Sequence, residues 1–477
     1  MSQLAKNTIF LTFASIAQKA IAFLYFAVVA RTIGDEATGS YFLALALTTT
    51  IGVLDDVGLT SVLIREVAKT PEKASDYLRS VMGVKIFTMP LTVLVAWFLP
   101  TVLGFSQEAA DLTKIAVVIM LLDTLSVSFY GVMRGFHNLK FESLGIFVGQ
   151  SITAIVGVAA LFSGERDLRY LILALMLGSL WNAGFAAFQV ARKIGWQSLV
   201  PSFVHSAGML RTSFMFFMAA VFVKVYSYVD SFTINMTLGK AAVGVYSVAY
   251  KLTYAFQFLP MAFVGALYPT LSAQAHDPAL VNKTLSGSFR YMALLGAPIV
   301  FGIAPLAPEI IGFFYGSDFA DAAGTLSVLI FVLLFIFLDF PIGALLNASG
   351  RPHIKTGIMG ITMIINVVAN LVLVPEFGVV GAAYAGLLSF IFMFFAGLVA
   401  VWKSSDLRVS QMVSLTGPYL LAGGVMSLVV LGTKTVVPWI ATVPIGAVVF
   451  MSLTYLLGGV TRADIQGFVA LVRKKVA

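Results

Sequence analysis

The stretch Gly34-Asp35-Glu36-Ala37-Thr38-Gly39-Ser40-Tyr41 returns in the second half of the chain as Gly239-Lys240-Ala241-Ala242-Val243-Gly244-Val245-Tyr246. Both copies keep Gly-x4-Gly-x-Tyr, and both join two long apolar runs, 7–30 to 39–63 and 209–236 to 243–271. At the same offset, Lys19 in the run 7–30 matches Lys224 in the run 209–236. A second pair follows in the same order: Asp123 precedes Gly135-x4-Lys140, and Asp339 precedes Gly350-x4-Lys355. Internal repeats of apolar segments are a common ground plan of membrane transporters.

A membrane helix needs about 20 mostly apolar residues. Besides the four runs above, ten more stretches qualify: 80–104, 112–133, 142–163, 169–191, 286–314, 323–347, 355–374, 379–402, 411–432 and 437–459. The 477 residues are 59% hydrophobic and 11% charged, with a mean hydropathy of +0.96. A soluble domain carries about 25% charged residues, so this chain has too little charge to cover a water-facing surface. The predicted fold is an all-α polytopic membrane protein of about fourteen transmembrane helices. Six spans separate the members of each repeated pair, which predicts two six-helix lobes, residues 1–191 and 208–402, related by a pseudo-two-fold axis along the membrane normal. Residues 192–207 form a cytoplasmic linker, and 403–477 add two extra helices and a tail. Two facing bundles predict a central cavity and alternating access. The first span is too long for a signal peptide, and no small-residue cleavage site follows it.

Orientation follows from the 30 Lys and Arg residues. With a cytoplasmic N-terminus, the outer segments hold only Arg31, Arg166, Arg169, Lys240 and Lys434, and most of the others fall inside. That bias predicts both termini in the cytoplasm, and it explains the net charge of +8 without any nucleic acid. The absence of Cys excludes disulfides, thiolate metal sites and Cys nucleophiles. The four His (His137, His205, His276 and His353) are scattered, and no phosphate-binding loop motif occurs. The connecting loops are too short for an extramembrane catalytic domain. No cofactor, metal or catalytic residue is expected, and a transporter is favoured over an enzyme.

A charge in the middle of a membrane helix costs roughly 2.5–3.5 kcal/mol on insertion scales, so those that persist usually face a cavity. Lys19 and Lys224 lie mid-span at the start of each half, and Lys251 lies a turn or two into the eighth span. No acidic neighbour in sequence neutralises them. They predict a cationic cavity that takes an anion, and a phosphate or diphosphate suits compact lysine charges. Arg290, near the cytoplasmic end of the ninth span, is a further candidate at the mouth. The plainer alternative is ion pairing with Asp55, Asp56, Asp123, Asp230 or Asp339 on other helices. Those carboxylates would then brace helices, or else bind a coupling ion. Asp55-Asp56 is followed by Val57-Gly58 and equally reads as a helix break. Lys85 and Lys114 lie near span ends and are expected to snorkel toward water.

Several of these residues resemble a known family. Ala30-Arg31-Thr32-Ile33-Gly34, then Gly39-Ser40-Tyr41, Gly58-Leu59 and Arg65, are similar to the start of Wzx-type polysaccharide flippases of the MOP superfamily. Gly239 to Tyr246, Ala249-Tyr250-Lys251, Pro260 and Tyr268-Pro269 resemble that family's seventh and eighth helices. Tyr315-Gly316-Ser317-Asp318-Phe319, Ala348-Ser349-Gly350-Arg351 and Pro375-Glu376-Phe377-Gly378 continue the likeness to about residue 400. The resemblance implies a flippase for a polyprenyl-diphosphate-linked oligosaccharide, such as an O-antigen repeat unit, in the cytoplasmic (inner) membrane of a prokaryote. Its partners would be that lipid-linked sugar, membrane lipid, H+ or Na+ as coupling ion, and polysaccharide assembly proteins. Lys19, Lys224, Lys251 and Arg290 would hold the diphosphate, and Asp123, Asp339, Asp230 and Asp55 would be coupling or structural carboxylates. Two related readings remain, a lipid II flippase and an ion-coupled MATE-like drug or metabolite exporter. Lys251 and Lys19 stand where lipid II flippases carry cavity arginines. A further arginine of that branch falls on Tyr25, and its basic pair in the second helix is absent. A MATE exporter of cationic drugs would favour a more acidic cavity.

Overall fold

In lipid, backbone amides find no water, so a spanning chain must close its hydrogen bonds within itself. The computed structural model describes residues 3–164, 167–274, 276–402 and 409–460, and these form helices with no strand among them. Arg166 and the predicted basic tail beyond residue 460 lie outside the described residues. Twelve helices are long and apolar enough to cross a membrane. One of them bends at Gly34 into two crossings, and a further crossing is split into two shorter helices of 16 residues each. The protein is therefore an all-α polytopic membrane protein with about fourteen transmembrane segments.

Contacts divide the chain into two units. The first comprises Met1–Ala255, Phe314–Ala322 and Met359–Gly386. It contains α1 (Gln3–Asp56), α2 (Leu59–Lys69), α3 (Ala74–Val102), α4 (Gln107–Gly135), α5 (Lys140–Phe162), α6 (Leu168–Ile194), α7 (Ser206–Leu238) and α8 (Lys240–Ala255). The second comprises Phe256–Phe313, Ala323–Ile358 and Leu387–Ala477. It holds α9 (Phe258–Ala273), α10 (Pro278–Ile303), α11 (Ala307–Tyr315) up to Phe313, and most of α12 (Ala322–Ala348). The helices α13 (Pro352–Phe377) and α14 (Val379–Trp402) are shared between units, and α15 (Val409–Thr433) and α16 (Trp439–Leu456) complete the second. The last two helices pack on each other and on α10. The turn between them is tied down by Lys434, whose Nζ reaches Glu309 Oε1 at 2.9 Å and donates to the Pro305 carbonyl at 2.7 Å.

A core cluster of the first unit joins α2, α3, α4, α6 and α7 through Leu59, Leu78, Val81, Met133, Val190 and Met209. Large apolar side chains also stand on the surface, among them Val102, 74% exposed, and Phe162, 82% exposed. Such groups are stable only against lipid, because in water each buried large apolar side chain is worth about 1.5–3 kcal/mol.

The repeated Gly-x4-Gly-x-Tyr marks the contact between the two hairpins. Gly34 (φ 81°, ψ 178°) and Gly239 (φ 87°, ψ 178°) adopt the same conformation, one open essentially to glycine alone. Each reverses the chain between one crossing and the next. Five residues on, the contact is reciprocal. A Cβ on Gly39 would overlap the carbonyl oxygen of Lys240, and a Cβ on Gly244 would overlap that of Asp35. The two glycines let the helices meet backbone to backbone, as small residues do at membrane helix interfaces.

Candidate substrate cavity

A cavity of about 570 Å³ opens inside the first unit. Its walls come from α1, α4, α5, α6, α7 and α8. Helix α1 packs against α4, α5, α7 and α8, and the lining that these helices share has two parts of different chemistry.

The α7/α8 wall is cationic. Lys224 and Lys251 both line the cavity. The Lys251 Nζ lies over the rings of Phe26 and Phe42, 5.3 and 5.6 Å from their centroids. That of Lys224 lies 5.9 Å from the centroid of Tyr228, another lining residue. Ring faces attract a cation without supplying a counter-charge, which leaves both side chains open to an anionic ligand. No carboxylate is within ion-pair distance of Lys19, Lys224 or Lys251 among the described residues. Lys19 follows the lining residue Gln18 and acts electrostatically on Lys251. The structure thus brings Lys224 and Lys251 to one cavity, while Lys19 adjoins a lining residue without being one itself. Arg290 is exposed on α10 and is not among the lining residues.

The α4–α6 wall is polar and carries a carboxylate. Asp123 is exposed to the cavity beside Ser179, and Gln150 and Asn182 line the same wall. Asn182 is oriented by Tyr130, whose hydroxyl donates to its Oδ1 at 2.8 Å. Asp56, at the end of α1, also lines the cavity and accepts a hydrogen bond from the Thr60 hydroxyl across the break at Val57 and Gly58. The lining therefore carries both signs of charge, where the sequence predicts a cationic one.

The other carboxylates are engaged. Asp55 is fully buried and meets Lys85 Nζ at 2.5 Å, with the Thr88 hydroxyl donating to its other oxygen at 2.9 Å. Lys85 is 2% exposed, so it does not snorkel. It lies twelve residues into a 29-residue helix, too far from either end to reach water. Lys114 does sit near its helix start, pairing with Asp111 at 2.8 Å over the Trp97 ring. Asp230 accepts from the Tyr246 hydroxyl and from the Ser231 amide. Asp339 is held by Lys355 Nζ, 2.6 Å from each of its oxygens.

Gln18, Gln150, Ser179, Asn182 and Tyr228 escaped a reading that weighed only charged groups. The signal was there: amides inside a span are also costly in lipid and seek a partner or a cavity.

Comparison with known proteins agrees with this architecture. A family model described as "Polysaccharide biosynthesis protein" matches residues 4–274, and a MatE model matches 216–372. The probable low-salt glycan biosynthesis flippase Agl15 of Haloferax volcanii is 24% identical over 98% of this chain and 99% of its own length. The putative O-antigen transporter of Shigella flexneri is 22% identical over 79% of this chain and 93% of its own. Among solved structures, the lipid II flippase MurJ in an inward closed conformation superposes with a TM-score of 0.76 at 18% identity, covering 94% of this chain and 98% of that one. A MATE family multidrug transporter gives 0.66 at 14% identity, over 81% and 95%. With the polysaccharide model spanning more than half of its length, the chain belongs to the polysaccharide biosynthesis protein family, a transporter and not an enzyme, within the MOP superfamily.

Proposed function

We propose that the protein is a flippase that carries a polyprenyl-diphosphate-linked oligosaccharide across the cytoplasmic membrane. The observation that carries this reading is the pair Lys224 and Lys251, which face a cavity inside a membrane protein without a carboxylate on either. Unpaired ammonium groups in a low-dielectric site are costly unless a ligand anion completes them. A diphosphate supplies that charge, and Lys19 adds to the field. The names of similar proteins, a glycan biosynthesis flippase and an O-antigen transporter, support a lipid-linked sugar.

A volume of about 570 Å³ falls within the roughly 300–1,000 Å³ of small-molecule sites. It accommodates the diphosphate with the first sugars, while the polyprenyl tail stays in the bilayer. Alternating access by rocking of two six-helix lobes, near 1–191 and 208–402, follows from the parallel repeat. Asp123 and Asp56 are the cavity-lining carboxylates available for H+ or Na+ coupling, since Asp55 and Asp339 are held by lysines and Asp230 by Tyr246.

The test is reconstitution in liposomes with a short polyprenyl-diphosphate oligosaccharide, measuring head-group access from outside over time. Protein-dependent flipping that falls at least about tenfold in folded Lys224→Met and Lys251→Met variants is the expected result; tenfold corresponds to about 1.4 kcal/mol. Absence of flipping with several such lipids, alongside proton-driven efflux of cationic dyes, moves the protein to the drug-exporter branch.

A further inference from the structure

The two halves of the repeat differ at one telling pair of positions. Asp339 and Asp123 hold matching places, each followed by Gly-x4-Lys. In the second half the motif closes on itself: Lys355 grips both oxygens of Asp339, which is 7% exposed. In the first half it stays open. Lys140 is exposed and pairs with no carboxylate among the described residues, and Asp123 turns to the cavity instead. The brace kept in one half has been released in the other.

Around the released carboxylate stand groups with unused hydrogen-bonding capacity. The Asn182 Oδ1 is occupied by Tyr130, which fixes the amide and leaves its two N–H donors for a ligand. The amide of Gln150 has no protein partner among the described residues. Room is made by Gly149 and Gly178, where a Cβ on either would lie within 3 Å of the other's carbonyl oxygen, so α5 and α6 meet closely behind the amides. A carboxylate that accepts two hydrogen bonds, flanked by amides that donate and accept, matches adjacent hydroxyls of a sugar ring.

We propose that Asp123, Gln150 and Asn182 form a sugar subsite that takes a neutral hexose or N-acetylhexosamine and rejects an acidic sugar. This rests on the flippase reading above: the lysine wall holds the diphosphate while the α4–α6 wall reads the sugar attached to it. Selectivity has two sources. Buried polar groups left unpaired penalise a sugar lacking the matching hydroxyl, and the Asp123 carboxylate repels a uronate.

The test uses the full chain in lipid nanodiscs and saturation-transfer NMR. Its probes are methyl glucoside, methyl N-acetylglucosaminide, glucuronate and inorganic pyrophosphate. The neutral glycosides are expected to bind, with glucuronate at least about tenfold weaker. Gln150→Leu and Asn182→Leu abolish the glycoside signal, with pyrophosphate binding reporting an intact fold. Should Gln150→Leu misfold, Gln150→Glu removes the amide donors at constant size and has the same expected effect. Asp123→Asn raises glucuronate binding toward that of glucoside. Glycoside binding that survives both leucine variants overturns the subsite. So do glucuronate binding as well as glucoside, and no glycoside signal beside normal pyrophosphate binding. If pyrophosphate fails to bind while the glycosides do, the diphosphate reading falls and the sugar subsite stands.

Discussion

At the scale of single residues, burial decides whether a charge braces the protein or meets a ligand. Lys85 and Asp55 are both sealed from solvent and satisfied by each other and by Thr88. Removing one partner strands the other charge in a medium that cannot solvate it, which costs about 3–5 kcal/mol. Lys85→Met or Asp55→Asn is therefore expected to lower the thermal midpoint in detergent steeply. The double variant Lys85→Met/Asp55→Leu, which removes both charges, recovers most of the loss. Equal midpoints for the single and double variants would show that the pair contributes nothing. Lys224 and Lys251 answer to a different rule, because their partners are ring faces and a cavity. In sequence Lys85 differs from these lysines only in lying near the end of its apolar run, which predicted a snorkelling side chain and not a buried pair. Asp55 lies thirty positions from Lys85, and no local pattern joins them.

At the scale of elements, the repeated glycines set how close two helices come. Gly34 and Gly239 share one backbone conformation, for which a side chain costs of order 1–3 kcal/mol. Gly34→Ala and Gly239→Ala are expected to lower stability by similar amounts, read as thermal midpoints. Gly39→Ala and Gly244→Ala act otherwise: their φ is helical, but the new methyl drives into the opposing hairpin's carbonyl. Those two substitutions force α1 and α8 apart, and flipping is expected to fall along with stability. Wild-type midpoints in all four variants would mean the hairpins do not meet as described. The Gly-x4-Gly-x-Tyr spacing was legible in sequence as a repeat. That its two copies touch each other was not, because identity between segments carries no information on their distance.

At the scale of the whole molecule, the Lys and Arg distribution predicts cytoplasmic termini. The absence of native Cys makes the test clean. In Lys140→Cys and Ser163→Cys variants, a membrane-impermeant thiol reagent added to intact cells is expected to label only the second. Labelling of position 140 but not 163 would invert the topology. Both residues lie at the ends of α5, so a single crossing is read from its two sides.

Hydropathy and charge bias are sums over neighbouring residues, which is why the sequence alone specified the crossings, the internal repeat and the absence of soluble catalytic machinery. Lipid imposes those features one segment at a time. Which lysine is paired and which is open depends on what other helices bring to it, and that is a property of packing. Tertiary structure alone placed Lys85 against Asp55, set Asp123 beside Ser179 at the cavity where Asp339 is clamped by Lys355, and gathered Gln150 and Asn182 into the lining shared with Lys224. Uncharged amides barely change a hydropathy profile. Their value comes from what they surround, and only the folded chain determines it.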